Sequence, residues 1–168
     1  MENLLQWARS QMSGSQVNMQ LIEVTELIEE VKKILRFQAQ AKNVYLNSKI
    51  EETVYIYADK DMMNPVLINL VGNAIKFTPE EGEICIGAGQ TTQAIELFVQ
   101  DTGTGIPKES LGKLFGDDFY TTRGTSNEAG TGLGLILCKE FLHKNGGNTS
   151  VESHVGKGSR FTCSLPIP

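Results

Sequence analysis

A chain of 168 residues that is 40% hydrophobic can bury one self-sufficient core, so a single domain is expected. Its formal charge of −5 comes from scattered acids, and no Lys/Arg-rich stripe marks it for nucleic acid or for direct contact with an anionic membrane, though a small phosphate ligand stays open. Cys85, Cys138 and Cys163 are far apart and flanked by apolar residues, which reads as reduced core thiols of a cytoplasmic protein; without a C-x-x-C, no zinc site is expected, and no apolar run nears the ~20 residues of a membrane span.

The N-terminal stretch "NLLQWARSQM" has helical spacing and is followed by the turn-rich "SGSQVN". "VTELIEEVKKILRFQAQAKN" predicts a helix with Thr25 as N-cap, an apolar stripe of Leu27, Ile28, Val31, Ile34 and Leu35, and Asn43 at its end. Two alternating, β-branched strands follow, "VYLNSKI" and "TVYIYAD", with Glu51 and Glu52 as a turn between them. A helix from about Asp61 to Phe77 is closed by Thr78 and Pro79, and strands "EICIGAG" and "AIELFVQD" come next. A loop with a short helix occupies 102–115, an irregular Gly/Thr/Asp-rich segment 116–131, and a further helix runs from near Gly132 to "KNGG", whose glycines suit a left-handed cap. The last hairpin is "NTSVESH" and "SRFTCSLPI" around "VGKG". Strands in twos and threes between helices predict an α+β fold: a two-layer α/β sandwich whose one mixed, mainly antiparallel sheet is covered on one face by helices.

On the wheel of the helix containing "NLVGNAIKFTP", Asn69, Gly72, Asn73 and Lys76 fall within about a quarter of the circumference. A solvent-facing stripe is normally filled by Glu, Lys and Gln. Two short amides, a glycine and one long cation suit a surface that a ligand approaches closely, with a solvated face carrying incidental amides as the alternative. "DTGTGIP" puts Asp101 at the end of an apolar strand, with Gly103 and Gly105 free to pass beneath a ligand, or simply to turn the chain. "AGTGLGL" places glycines at the start of a helix, where backbone N–H groups and the helix dipole favour phosphate. It is neither a Walker sequence nor a dinucleotide fingerprint, because no Gly-Lys-Ser/Thr follows and no strand precedes.

Together, "NLVGNAIKFTP", "DTGTGIP", "LFGDDFYTT" and "GTGLGL", in that order, resemble the catalytic ATP-binding domain of a sensor histidine kinase, within the superfamily that includes gyrase-type topoisomerases, the heat-shock chaperone and mismatch-repair ATPases. The resemblance makes residues 1–15 the end of a preceding dimerisation and phosphoacceptor helix with its linker, and residues 16–168 the catalytic domain. It implies a protein-histidine kinase that uses ATP and Mg²⁺. The implied partners are a histidine phosphoacceptor domain and, through the parent kinase, a response-regulator receiver domain. The isolated domain is expected to be a cytoplasmic monomer, with a parent that is anchored in the inner membrane or is not.

Residue by residue, the resemblance gives Asn73 to Mg²⁺ as a neutral oxygen ligand, with Asn69 lining the same site. Lys76 meets phosphates as a point charge. Asp101 accepts a hydrogen bond from the adenine amino group, and Gly103 and Gly105 lie against the base. Residues 107–131 correspond to a mobile ATP lid. In it Phe119 and Tyr120 touch the ligand or anchor the loop, and Arg123 reaches phosphate or is a solvated charge. Gly130, Thr131, Gly132, Leu133 and Gly134 cradle the triphosphate. Asn69, Lys76 and Arg123 are the implied catalytic set. Pro65 departs from the family, which often has Gln, Glu or His there. Asn64 and Pro65 either start the helix late, as N-cap and first residue, or kink its first turn. His143 and His154 lie outside any acceptor motif, the first expected at a helix C-terminus and the second at a strand end.

Overall fold

The computed structural model describes residues 16–114, 124–127 and 134–168. Along these the elements are β1 (Gln20–Glu23), α1 (Val24–Ala41), β2 (Tyr45–Ile50), β3 (Tyr55–Ala58), α2 (Lys60–Phe77), β4 (Glu83–Gln90), β5 (Ile95–Asp101), α3 (Lys108–Leu111), α4 (Gly134–Lys144), β6 (Asn148–His154) and β7 (Gly158–Leu165). The main sheet has strand order β2-β4-β5-β7-β6, with β2 and β4 parallel and every other pair antiparallel. β1 and β3 pair apart from it as an antiparallel ribbon.

Strand alternation decides which face carries the core. Ile84 and Ile86 of β4, Ile95, Leu97 and Val99 of β5, and Phe161, Cys163 and Leu165 of β7 are all buried, as are Leu67, Leu70 and Val71 of α2 and Leu137 and Cys138 of α4. The alternate positions turn away: Arg160 stacks its guanidinium 3.8 Å from the Phe98 ring centroid and donates to Gln100 Oε1 at 3.1 Å. Helices therefore cover one face only, as expected for a two-layer sandwich.

α2 carries the polar stripe, and both its ends are held. Asp59 is the N-cap, its Oδ1 accepting the Asp61 N–H at 2.9 Å. At the other end Lys42 Nζ donates to the carbonyls of Ile75 (2.9 Å) and Lys76 (2.8 Å), placing a cation where the helix dipole is negative. α4 ends as its glycines predict, with Gly146 at φ 76 and Gly147 N–H closing on the Leu142 carbonyl at 2.8 Å.

Several expectations need correction. α1 begins at Val24 with Glu23 in the capping position and no side-chain cap, so Thr25 lies within the helix. The chain arrives directly from β1, and the Val24 N–H goes to the Val54 carbonyl at 2.9 Å instead. Ile34 is 58% exposed, because the buried arc of α1 is set by Leu27, Ile28, Val31, Leu35 and Ala39. β2 and β3 do not pair with each other; β3 leaves for β1, a strand too short to be legible in sequence, and the single sheet becomes a sheet and a ribbon. Asn64 is not a cap, and Pro65 is buried in the second turn of α2 rather than at its start. Lacking an N–H, it leaves the Asp61 carbonyl without its helical donor, and Asp61 is exposed, so water can serve that group. Cys85 is only half-buried, whereas Cys138 and Cys163 lie in the core, where burial pushes their thiols up, Cys163 to about 12.

The exposure difference along α1 is directly testable. Ile28→Ala should lower unfolding stability by about 2–5 kcal/mol, as a cavity in a packed core does. Ile34→Lys should change it by less than about 0.5 kcal/mol. Urea unfolding followed by circular dichroism would separate the two.

Candidate functional site

The loop after β5 is shaped by two carbonyl groups that it must pass. A Cβ at position 103 would collide with the Phe77 carbonyl oxygen, and one at 105, where φ is +74, would collide with the His154 carbonyl. Glycine at both lets the loop settle between the end of α2 and the β6–β7 turn. Thr104 N–H then donates to the Phe77 carbonyl at 3.1 Å, Gly156 N–H to the Thr104 carbonyl at 2.8 Å, and Ile106 N–H to Ser153 Oγ at 2.7 Å.

This clamp holds Asp101, which is 7% exposed. Its Oδ1 accepts the N–H groups of Gly103 (2.8 Å) and Ser159 (3.3 Å), leaving Oδ2 without a partner among the described residues. Burial pushes the carboxyl above its ordinary value, and the two backbone bonds pull part of the way back. The result is a fixed, half-satisfied carboxylate with one oxygen available to an external donor.

The polar side of α2 is similarly underused. Asn69 is 9% exposed, and its Nδ2 is buried without an acceptor among the described residues. Asn73 is half-buried, and its side chain makes no hydrogen bond among the described residues. Between them the helix is open, since a Cβ on Gly72 would meet nothing within 4 Å. Lys76 places its ammonium 4.9 Å from the Phe77 ring centroid, and its carbonyl accepts the Thr125 N–H at 3.0 Å, which brings residues 124–127 to this end of the helix.

α4 lies along α2 in antiparallel order. Asn145 Nδ2 is 3.5 Å from Met62 Sδ, and Cys138 Sγ donates to the Val66 carbonyl at 3.6 Å. Four residues of helix span about 6 Å, so the Gly134 end of α4 extends toward Asn69 and Asn73.

The fold thus brings Asp101, Gly103 and Gly105 to the end of α2 that bears Lys76, with Asn69 and Asn73 on the same helix and α4 running antiparallel beside it from Gly134. Phe119, Tyr120, Arg123, Gly130, Thr131, Gly132 and Leu133 lie outside the described residues. His143 and His154 are exposed in the last turn of α4 and at the end of β6, as expected. Sequence reasoning missed Lys42, Thr125 and the Ser159 N–H. The last could not have been found, because it reaches Asp101 only through β5–β7 pairing. Among the described residues no group of three His, Cys, Asp or Glu could hold a metal, and no helix is long and apolar enough to cross a membrane.

Comparison with known proteins converges on this geometry. Residues 58–168 match the family described as histidine kinase-, DNA gyrase B-, and HSP90-like ATPase. The sensor protein SrrB of Staphylococcus aureus strain MRSA252 is 36% identical over 170 residues, an alignment covering 98% of this chain and 28% of SrrB. The chain therefore spans little more than a quarter of that relative's length. The catalytic domain of histidine kinase ThkA superimposes with a TM-score of 0.77 at 28% identity, covering 89% of this chain and 96% of that domain. Full-length ShkA in complex with AMPPNP shares the fold over 99% of this chain and 35% of its own, with a TM-score of 0.85 at 24% identity. The chain belongs to the family of histidine kinase-, DNA gyrase B- and HSP90-like ATPases, as a catalytic ATP-binding domain of the sensor histidine kinase type.

The Asp101 carboxyl carries a signed pH expectation. Because burial raises its pKa, the folded chain holds this proton more tightly than the unfolded chain, and the ionised form opposes folding at neutral pH. That penalty lifts as pH falls toward the ordinary carboxylate value of 3.8. Asp101→Asn keeps a carbonyl oxygen for Gly103 and Ser159 and removes the charge. It should raise the melting temperature of the ligand-free chain at pH 7, with the advantage shrinking on acidification; calorimetry across that range would expose a constant difference, which would contradict the assignment.

Proposed function

We propose that this chain binds ATP with Mg²⁺ and transfers the γ-phosphoryl group to a histidine carried on a separate helical domain. The observation that carries this reading is the junction of the Asp101 loop with the end of α2, made by Thr104 N–H on the Phe77 carbonyl at 3.1 Å. It joins a carboxylate suited to reading the base to a helix whose Asn69 and Asn73 amides and Lys76 lie along one side.

Each of these groups fits a part of that ligand. Asp101 Oδ2 would accept the adenine amino group, and guanine has a carbonyl at that position. The buried Nδ2 of Asn69 is a donor in need of an acceptor, which a phosphate oxygen or a phosphate-bound water supplies. Asn73 would give its amide oxygen to Mg²⁺, which keeps waters and takes few protein ligands; the lack of an acidic cluster among the described residues suits an ion held mainly by phosphates. The ion would supply charge neutralisation on the transferring phosphoryl group. Lys76 would add a point charge, Gly134 at the start of α4 would lie on the phosphate side, and Arg123 with Gly130, Thr131, Gly132 and Leu133 would complete the set. Positioning and electrostatics are the contributions asked of the chain.

Residues 16–168 would be the whole catalytic unit, residues 1–15 the end of the preceding acceptor-bearing helix, and a receiver domain the downstream partner of the parent protein. An ATP-hydrolysing switch is the other reading within the family. It is disfavoured because a water-orienting carboxylate is expected where Asn69 stands, and an amide cannot take a proton.

Asn73→Ala should weaken ATP binding in Mg²⁺ by roughly tenfold or more, while ADP binding in chelator changes little. Isothermal titration under both conditions tests this; equal losses would assign Asn73 to the fold. With γ-labelled ATP the chain alone should neither label itself nor release phosphate appreciably, and adding the parent's folded helical domain should give acid-labile phosphohistidine on that domain. Rapid phosphate release by the chain alone would favour the switch.

A further inference from the structure

Asp59 is a buried carboxylate, 6% exposed, that lies far from the nucleotide groups and has no part in the chemistry proposed above. Its bonds join three segments that are otherwise remote in sequence. Oδ2 accepts the N–H of Asn18, the residue on which the chain arrives before β1, at 2.8 Å. Oδ1 caps α2 through the Asp61 N–H at 2.9 Å. The backbone N–H of Asp59 donates to Oδ1 of Asn145 at 2.7 Å. Asn145 is 2% exposed, follows the last turn of α4, and returns its Nδ2 to the Phe141 carbonyl at 2.7 Å.

The consequences follow from where these two helices lead. From Asp59, α2 runs about 20 Å to Asn73 at 1.5 Å per residue. α4 runs back from Asn145 toward Gly134, so both helices start from one node and reach the site at their far ends. A helix moves as a rod, and a small rotation at the node becomes a larger displacement there. At the same node, beside the pairing of Gln20 with Ala58 and with Val17 packed on the core, Asn18 is held by one hydrogen bond to a carboxylate, a bond of the stronger, charge-assisted class.

We infer that Asp59 is a positioning residue that fastens the incoming chain at Asn18 to α2 and α4, so that nucleotide binding and the setting of residues 16–20 are coupled. The coupling rests on the nucleotide site proposed above, whereas the fastening of Asn18 stands on Asp59 alone. The residue acts through the helices and touches neither nucleotide nor metal.

Two substitutions separate the tether from the helix cap. Asp59→Ser keeps an oxygen suited to capping α2 but has no second oxygen for Asn18, while Asp59→Ala loses both. In the 168-residue chain without nucleotide, amide exchange at Asn18 should speed up about tenfold in Asp59→Ser, with a melting temperature nearer the parent's than that of Asp59→Ala. Adding Mg-ATP should change exchange across residues 16–20 in the parent. Asp59→Ser should abolish that change while its dissociation constant for Mg-ATP stays within about threefold, a readout that a purely structural role would not separate. Unchanged Asn18 exchange in the nucleotide-free Asp59→Ser chain would overturn the tether even if ATP does not bind at all. If ATP binds, a response of residues 16–20 that is absent from the parent or persists in Asp59→Ser would overturn the coupling.

Discussion

The site depends on one backbone contact, the Thr104 N–H on the Phe77 carbonyl. It is possible only because Gly103 has no Cβ to strike that same carbonyl. Through it the end of β5 and the end of α2 become one rigid corner. Asp101 is then aimed by the sheet, Lys76 by the helix, and their relation is set by a hydrogen bond rather than by loop conformation. Lys42 supports the corner from the other side, holding the carbonyls of Ile75 and Lys76. Thr125 approaches the same end with its N–H on the Lys76 carbonyl. The last turn of α2, where carbonyls are free of helical partners, is thus the place to which three separate segments attach.

Such a corner positions groups without satisfying them. Among the described residues, Asn69 Nδ2 is a buried donor with no acceptor, and Asp101 is a carboxylate held in a desolvated place by two backbone bonds to one of its oxygens. Each destabilises the ligand-free fold, since buried polar groups normally find partners. The surrounding core offsets the strain: Leu67, Leu70 and Val71 of α2 are fully buried against the sheet and neighbouring helices. In the proposed reading, these groups would meet a ligand with a donor at one end and anionic oxygens at the other. Because the polar groups sit on rigid elements, binding needs little rearrangement of α2 or β5.

Where sequence reasoning failed, the competing contact can be named. Thr25 has the chemistry of an N-cap, but α1 starts earlier because its first N–H is taken by the Val54 carbonyl. Ile34 fits an apolar stripe on paper, yet it remains 58% exposed, outside the buried arc of α1. β2 and β3 read as neighbours because they are close in sequence. Their pairing instead follows register, β2 running parallel to β4 and β3 closing on the four residues of β1. Asn64 and Pro65 left two readings open, a late helix start or a kinked first turn. The carboxylate of Asp59, with its bonds to Asn18 and Asp61, caps the helix five residues before Asn64, so Pro65 falls inside it.

By itself the sequence determined the α+β class, the positions of α2, β4, β5, β6 and β7, and the polar stripe with the glycine loop that follows Asp101. These are written in local periodicity and in residues whose backbone freedom or hydrogen-bonding chemistry is specific to them. The order of the motifs was enough for the resemblance to an ATP-binding domain. Tertiary structure alone decided which strands pair, that α4 lies antiparallel to α2, that Ser159 shares Asp101 with Gly103, and that Asn18, Asp59 and Asn145 meet at one node. The reason is physical: each of these is a bond between groups distant in the chain, formed by N–H and C=O groups that every residue carries, so no side-chain pattern announces it before the layers are packed.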